Sequence, residues 1–273
     1  MTTRFCVVGS PIEHSLSPVL HAAAYKYLGL DFDYQKSLVG LGELESFLDT
    51  SKLAGVSVTM PLKQEAFSFA ANHDKYALAT RVANTLIRGV GDWSAANTDV
   101  YGITKALADV PTPMRTVVIG SGATARSALV ALSELFAETQ ISIISRNQEK
   151  GLDLLSFAQA LGFGAQLELP SAEVLLNANL VMSLVPAGSF AQLWSDFAQV
   201  TKAEKSVLFD VAYNPWPSEA AVAWNPDKVI SGIEMLIWQA IEQVQLFVTA
   251  SGLDMQLDRN SLYEVMKSAV SGK

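Results

Sequence analysis

The chain has 273 residues, half of them hydrophobic and only 17% charged, with a formal net charge of −8. That length supports one large or two modest domains with real cores, and the acidic balance argues against nucleic acid or an anionic membrane as partner. One cysteine, Cys6, excludes a disulfide framework, and His14, His21 and His73 lack the spacing of metal ligands. No run reaches the ~20 apolar residues of a membrane helix, and the N-terminus has no secretion-signal pattern. A soluble, cytoplasmic protein is expected.

The β-branched run 4–9 predicts a first strand, closed by Gly9-Ser10-Pro11. A helix follows, with Ser17 as N-cap, Pro18 at the first helical position and Gly29 as stop. A strand near 32–37, a helix near 41–50 and a strand over 55–59 come next, and Pro61 opens a helix carrying Lys63. Segments 84–90 and 93–97, joined by Gly91-Asp92, read as a hairpin. After a helix over 102–109, Pro111-Thr112-Pro113 punctuates the chain. A second series then runs as strand 116–120, helix 123–135, strand 141–145 and helix 149–161, with strands near 180–184 and 207–211. Apolar residues at 233, 236, 237, 240, 241, 244 and 248 predict a helix over 232–250. Ser261 and Glu264 form a capping-box pattern for a last helix ending near Val270. The expected class is α/β, with two α/β lobes and a helical tail.

The strongest local motif is GSGATAR, comprising Gly120, Ser121, Gly122, Ala123, Thr124, Ala125 and Arg126. It stands directly after a β-branched strand and opens an Ala/Leu-rich helix. The first glycine makes the tight turn, the second admits a pyrophosphate, and the small third position allows helix-on-strand packing. The helix N-terminus adds positive potential for phosphates, so a dinucleotide is expected here. An NAD-selecting site usually places an acid about 20 residues on, for the ribose 2′-hydroxyl. Here the second strand ends in Ser145-Arg146-Asn147, with Lys150 beyond. A guanidinium pairs with a 2′-phosphate, which predicts NADP.

Three further segments look chemical: HSLSP with Ser15 and Ser17, VTMPLK with Lys63, and NTD with Asp99. Lys63 falls in the first turn of its helix, where the macrodipole disfavours a cation. Singly, each segment has an ordinary structural use. Together with ANTLIR (83–88), SRN (145–147), DVAYNPWP (210–217) and SGIEMLIWQA (231–240), in this order, they resemble the shikimate dehydrogenase family over essentially the whole chain.

The resemblance implies a substrate domain over 1–100, a Rossmann-type NADP domain over 101–231, and C-terminal helices over 232–273 that pack on the first lobe. It implies reversible NADPH-dependent reduction of 3-dehydroshikimate to shikimate in aromatic amino-acid biosynthesis. Lys63 and Asp99 match the family's catalytic pair. Ser15 and Ser17 match the serines that bind the substrate carboxylate, with Tyr213 near it. Thr59 and Asn84 match contacts to the ring hydroxyls, Asp99 also counts among the substrate-binding residues, and Gln239 matches the glutamine that bonds substrate. Val211, Gly232 and Met235 fall where the family lines the nicotinamide. No metal is implied, the partners are the small-molecule substrate and cofactor, and the assembly is a monomer or homodimer. The chain departs from the family pattern at Ser57 (often Asn), at Ala96 before NTD and at Glu234 (often Gly). Two other readings stay open: an NAD-dependent quinate/shikimate dehydrogenase, which calls for an acid near 145–146, and a non-catalytic dinucleotide sensor, which calls for loss of Lys63 or Asp99.

Overall fold

The computed structural model describes residues 2–200 and 205–271. The chain divides into two compact units, Met1–Gly102 with Leu236–Lys273, and Ile103–Met235.

The first unit is built on a mixed sheet. In chain order its elements are β1 (Thr3–Gly9), α1 (Ser17–Leu28), β2 (Phe32–Leu38), α2 (Leu44–Thr50), β3 (Gly55–Val58), α3 (Lys63–Phe69), β4 (Asn72–His73), α4 (Lys75–Thr80), β5 (Thr85–Arg88), β6 (Trp93–Ala96) and the start of α5 (Asp99–Ala106). The strand order is β2-β1-β3-β5-β6-β4. Strands β2, β1 and β3 are parallel, whereas β5 runs antiparallel to both β3 and β6, so the expected hairpin is present. Side chains alternate across the sheet, as the period of two requires. Cys6, Val8, Val56 and Val58 join Leu62, Ala66 and Leu86 in one apolar cluster. Phe5, on the alternate face of β1, packs among aromatic rings from other elements, stacked on Phe247 at 4.4 Å.

The second unit holds a parallel sheet flanked by helices. Its elements are β7 (Arg115–Ile119), α6 (Ala123–Leu135), β8 (Gln140–Ile144), α7 (Gln148–Ala160), β9 (Ala165–Glu168), α8 (Ala172–Leu176), β10 (Leu180–Ser183), α9 (Ala191–Val200), β11 (Val207–Asp210), α10 (Glu219–Ala223) and β12 (Val229–Ser231). The order β12-β11-β10-β7-β8-β9 is that of a doubly wound dinucleotide fold, reversing direction at β7/β10. Burial on both faces explains the continuous apolar strands TVVI and LVM. Helices α11 (Gly232–Ala250) and α12 (Arg259–Val270) close the chain, and α12 packs on α1 in the first unit.

Three helix starts differ from the sequence reading. Ser17 is not the N-cap of α1: Leu16 takes that place in a helical conformation without a side-chain cap, and Ser17 N–H donates to Ser15 Oγ at 3.3 Å. The Ser261–Glu264 capping box does not form either. Asp258 caps α12, accepting from the Asn260 and Ser261 N–H groups and from the Ser261 hydroxyl. Pro61 lies before α3, which starts at Lys63 itself.

Candidate active site

The sheet of the first unit brings distant segments to one end. Positions 10–17 follow β1, and Thr59 through Lys63 follow β3, its parallel neighbour in register at Val8 and Val58. Ser57 pairs with Thr85, and Thr85 with Ala96, which puts Asn84 and the NTD segment beside the end of β3. Backbone bonds pin these loops: Thr59 N–H donates to Val8 O, Val58 N–H to Asn84 O, and Ala83 N–H to Lys63 O.

Here Lys63 Nζ lies 2.5 Å from Asp99 Oδ2, with 13% and 4% of the two side chains exposed. Asp99 is also the acceptor for Asn84 Nδ2 at 2.7 Å, so both carboxylate oxygens are engaged by donors. Asn84 is the hub. Its Oδ1 accepts from Thr98 N–H at 2.8 Å, and its Nδ2 reaches Thr98 Oγ1 at 2.8 Å and Gln239 Oε1 at 3.3 Å. A backbone N–H can only donate, so Oδ1 must face Thr98 and the amino group must face Asp99. Thus Lys63, Asn84, Asp99 and Gln239 form one polar cluster, joined by Thr98.

Ser17 is buried and lies within hydrogen-bonding reach of Tyr34, whose hydroxyl donates to Ser57 Oγ at 2.7 Å. Ser15 and Thr59 are half-buried on the adjoining loops. Tyr213 lies in the second unit, half-buried, its hydroxyl pushed up by burial. Sequence reasoning missed Thr85, Thr98, His21 and Gln243. Gln243 could have been found, since it stands one turn beyond Gln239 as a polar residue in an apolar helix; it is 1% exposed.

In the second unit, Gly120 ends β7 with φ +116°, and a side chain there would press within 2.9 Å of Leu184 O, so the tight turn requires glycine. Gly122 precedes α6 with nothing within 4 Å of its open face, while Ala125 is fully buried, as a pyrophosphate-binding turn demands. Ser121 and Ser145 hydroxyls meet at 2.7 Å, tying this turn to the end of β8. Asn147 caps α7 by accepting from Lys150 N–H at 2.9 Å. Ala123 and Thr124 begin α6 and are half-buried. Arg146 and Lys150 are exposed, with the Arg146 guanidinium 5.9 Å from the Phe190 ring. Arg126, by contrast, is held by Asp153 at 2.5 Å and lies over Phe157, which ties α6 to α7. At Gly232 a Cβ would sit 2.1 Å from Val211 O, so only glycine lets α11 begin against that strand end. Met235, one turn on, is buried. These residues fit a dinucleotide: an open turn at a helix start, a cationic loop, and no acid at the end of β8. Among the described residues, no helix is long and apolar enough to cross a membrane, and no group of three metal-ligating side chains occurs.

Comparison with known proteins agrees with this geometry. The family model for the shikimate dehydrogenase substrate binding domain matches residues 7–86. The shikimate dehydrogenase (NADP(+)) of Prochlorococcus marinus strain AS9601 is 30% identical over 268 residues, covering 90% of this chain and 92% of that protein. The crystal structure of Mycobacterium tuberculosis shikimate dehydrogenase superposes with a TM-score of 0.85 at 33% identity, covering 97% of this chain and 99% of that one. Thermus thermophilus shikimate 5-dehydrogenase, solved in complex with NADP(H) and shikimate, gives 0.78 at 26% identity, covering 98% and 100%.

Proposed function

Because the chain belongs to the shikimate dehydrogenase family, we propose that it is an NADP-dependent oxidoreductase interconverting 3-dehydroshikimate and shikimate in aromatic amino-acid biosynthesis. The observation that carries the reading is the buried Lys63–Asp99 pair at 2.5 Å, braced by Asn84. When bound, NADPH supplies the hydride for the ketone; the protein supplies orientation and one proton.

In the reducing direction, protonated Lys63 gives its proton to the ketone oxygen, and Asp99 holds the ammonium in place. General acid help of this kind is worth on the order of 10²–10⁴ in rate. Lys63 and Asp99 act as a coupled donor–acceptor, so the proton is assigned to the pair. Ser15 and Ser17 hold the carboxylate, Thr59 and Asn84 read the ring hydroxyls, Asp99 and Gln239 also bond the substrate, and Tyr213 matches the family's tyrosine near the carboxylate. The GSGATAR turn takes the pyrophosphate, Ser145, Arg146, Asn147 and Lys150 the 2′-phosphate, and Val211, Gly232 and Met235 the nicotinamide. The partners are these small molecules, and dependence on a nucleotide cofactor supports a cytoplasmic location.

Purified protein is assayed with shikimate or quinate against NADP or NAD, following reduced-nicotinamide absorbance. The shikimate–NADP pair is expected to give the highest kcat/KM. A preference for quinate with NAD would move the protein to the catabolic relatives, and no turnover with any pair would make it a sensor. Arg146 and the absence of an acid at the end of β8 speak against the first, and the intact Lys63–Asp99 pair against the second.

A further inference from the structure

Behind the Lys63–Asp99 pair lies a buried chain of hydrogen bonds whose direction can be worked out donor by donor. Gln243 Nε2 donates to Asn84 O at 3.2 Å and to Thr85 Oγ1 at 3.0 Å. A peptide carbonyl can only accept, so the nitrogen of the Gln243 carboxamide must face this side and its oxygen the other. That oxygen accepts from Ser57 Oγ at 2.8 Å and from His21 Nε2 at 3.3 Å. The His21 proton therefore sits on Nε2, and Nδ1 accepts from Tyr25 OH at 3.0 Å. Burial lowers the imidazole pKa to about 3, which keeps the ring neutral and this tautomer in place.

Thr85 takes the Gln243 bond on its oxygen and spends its only proton on Asn84 Oδ1, at 2.9 Å. Asn84 then presents its amino group to Asp99. Every bond points the same way, from Tyr25 through His21, Gln243, Thr85 and Asn84 to Asp99. His21, Thr85, Gln243 and Ser57 are each no more than 3% exposed. Burial keeps bulk solvent from these bonds, and an oriented buried network holds its members more tightly than the same groups would be held in solvent.

We propose that Gln243 and Thr85 are positioning residues for the reaction, orienting the Asn84 carboxamide so that its amino group holds Asp99 in line with Lys63. This rests on the function proposed above, in which Asp99 and Lys63 manage the substrate proton. Neither residue touches substrate in that reading. Gln243 sets which way the Thr85 hydroxyl points, and Thr85 joins the Thr98 N–H in holding Asn84 Oδ1, so that the carboxamide is gripped from two sides. Simple packing would ask only for volume at these positions, whereas the relay asks for a hydroxyl at 85 and an amide donor at 243.

The test separates the two with the full-length protein and shikimate plus NADP. Thr85→Val keeps the shape and removes the hydroxyl; kcat should fall about fivefold to tenfold, the scale of one lost hydrogen bond, with the Michaelis constant for NADP within about twofold. Thr85→Ser restores the hydroxyl and should recover most of kcat. Gln243→Glu keeps the size and, when ionised, offers only acceptors, so the Thr85 hydroxyl turns toward it and away from Asn84. Its kcat should fall at least as far, and adding Thr85→Val should cost no more, because both act on one bond. Thermal melting of each variant shows how much folded protein is assayed. Unchanged kcat in Thr85→Val, no recovery in Thr85→Ser, or additive losses in the double variant would overturn the relay alone, the wild type remaining active. A wild type that fails to oxidise shikimate overturns the underlying function, and the relay with it.

Discussion

Replacing Lys63 by methionine keeps most of the aliphatic stem and removes the ammonium. Two consequences follow from the geometry, and they can be pulled apart. The first is chemical: a general acid–base group worth on the order of 10²–10⁴, the proton acceptor in this direction, disappears, so kcat for shikimate oxidation should drop by several hundredfold or more. NADP binding, which the proposed function places on the GSGATAR turn, should stay within about twofold. The second is structural. Asp99, with 4% of its side chain exposed, loses the charged partner at 2.5 Å and keeps the Asn84 amino group at 2.7 Å. Removing one partner of a buried pair typically costs roughly 3–5 kcal/mol, and the surviving Asn84 bond places this case toward the lower end. Adding Asp99→Asn removes the stranded charge. The double variant should regain stability to within about 1–2 kcal/mol of wild type, since neutral replacement of both partners is often tolerated. Its turnover should stay as low as that of the single variant. Steady-state kinetics and urea melts on the three proteins decide it: near wild-type turnover in Lys63→Met, or recovered turnover in the double variant, would remove the pair from the mechanism.

Arg146→Ala should weaken NADP by ~1.5–3 kcal/mol, the scale of a charge-assisted hydrogen bond, and leave NAD nearly untouched; equal losses in titrations of the two nucleotides would mean the side chain only supports its loop. Ser15→Ala and Ser17→Ala should each raise the Michaelis constant for shikimate more than they lower kcat, because carboxylate anchoring serves ground and transition states alike. Ser15→Ala also removes the bond to the Ser17 N–H at the start of α1, and Ser17→Ala the buried bond to Tyr34, so both should lower the melting temperature. His21 gives a pH prediction. Its folded pKa lies near 3 against 6.5 for the free side chain, so between those values the unfolded chain binds a proton that the folded one refuses. Stability from this group is full above pH ~6.5 and falls by ~1.4 kcal/mol per pH unit on acidification toward 3. In His21→Leu the plateau should be lower but this one-proton slope absent from denaturant melts; an unaltered slope would show that His21 is not the titrating group.

The glycine turn between β7 and α6 was legible because its chemistry is contiguous. Gly120, Gly122 and Ala125 sit within six residues, and the backbone conformation, the close approach and the packing they serve are all local to one strand–turn–helix. The position of Arg146 beside that turn was legible for a related reason, since the next strand in sequence is also the neighbour in the sheet. Periodicity located most strands and helices but misjudged the helix starts. At 258–261 two cap-forming residues compete, and Asp258 prevails because its carboxylate accepts from two backbone N–H groups and the Ser261 hydroxyl at once. At Ser17 the cap side chain is buried beside Tyr34, and Ser15 takes the backbone bond.

The polar cluster around Lys63 and Asp99 is a different matter. Motif likeness could name Lys63, Asn84, Asp99 and Gln239, but local patterns could not say that they meet. Nothing in the residues between 99 and 239 marks an amide bound for Asn84. Nor does the run after Gln239 announce that Gln243 will order a hydroxyl 158 positions away. Those bonds exist because three strands end side by side and α11 rejoins the first unit, which leaves the buried donors only one another's acceptors to bond. Sequence determined which groups could bond. Burial, by removing water as the alternative partner, decided which of them did.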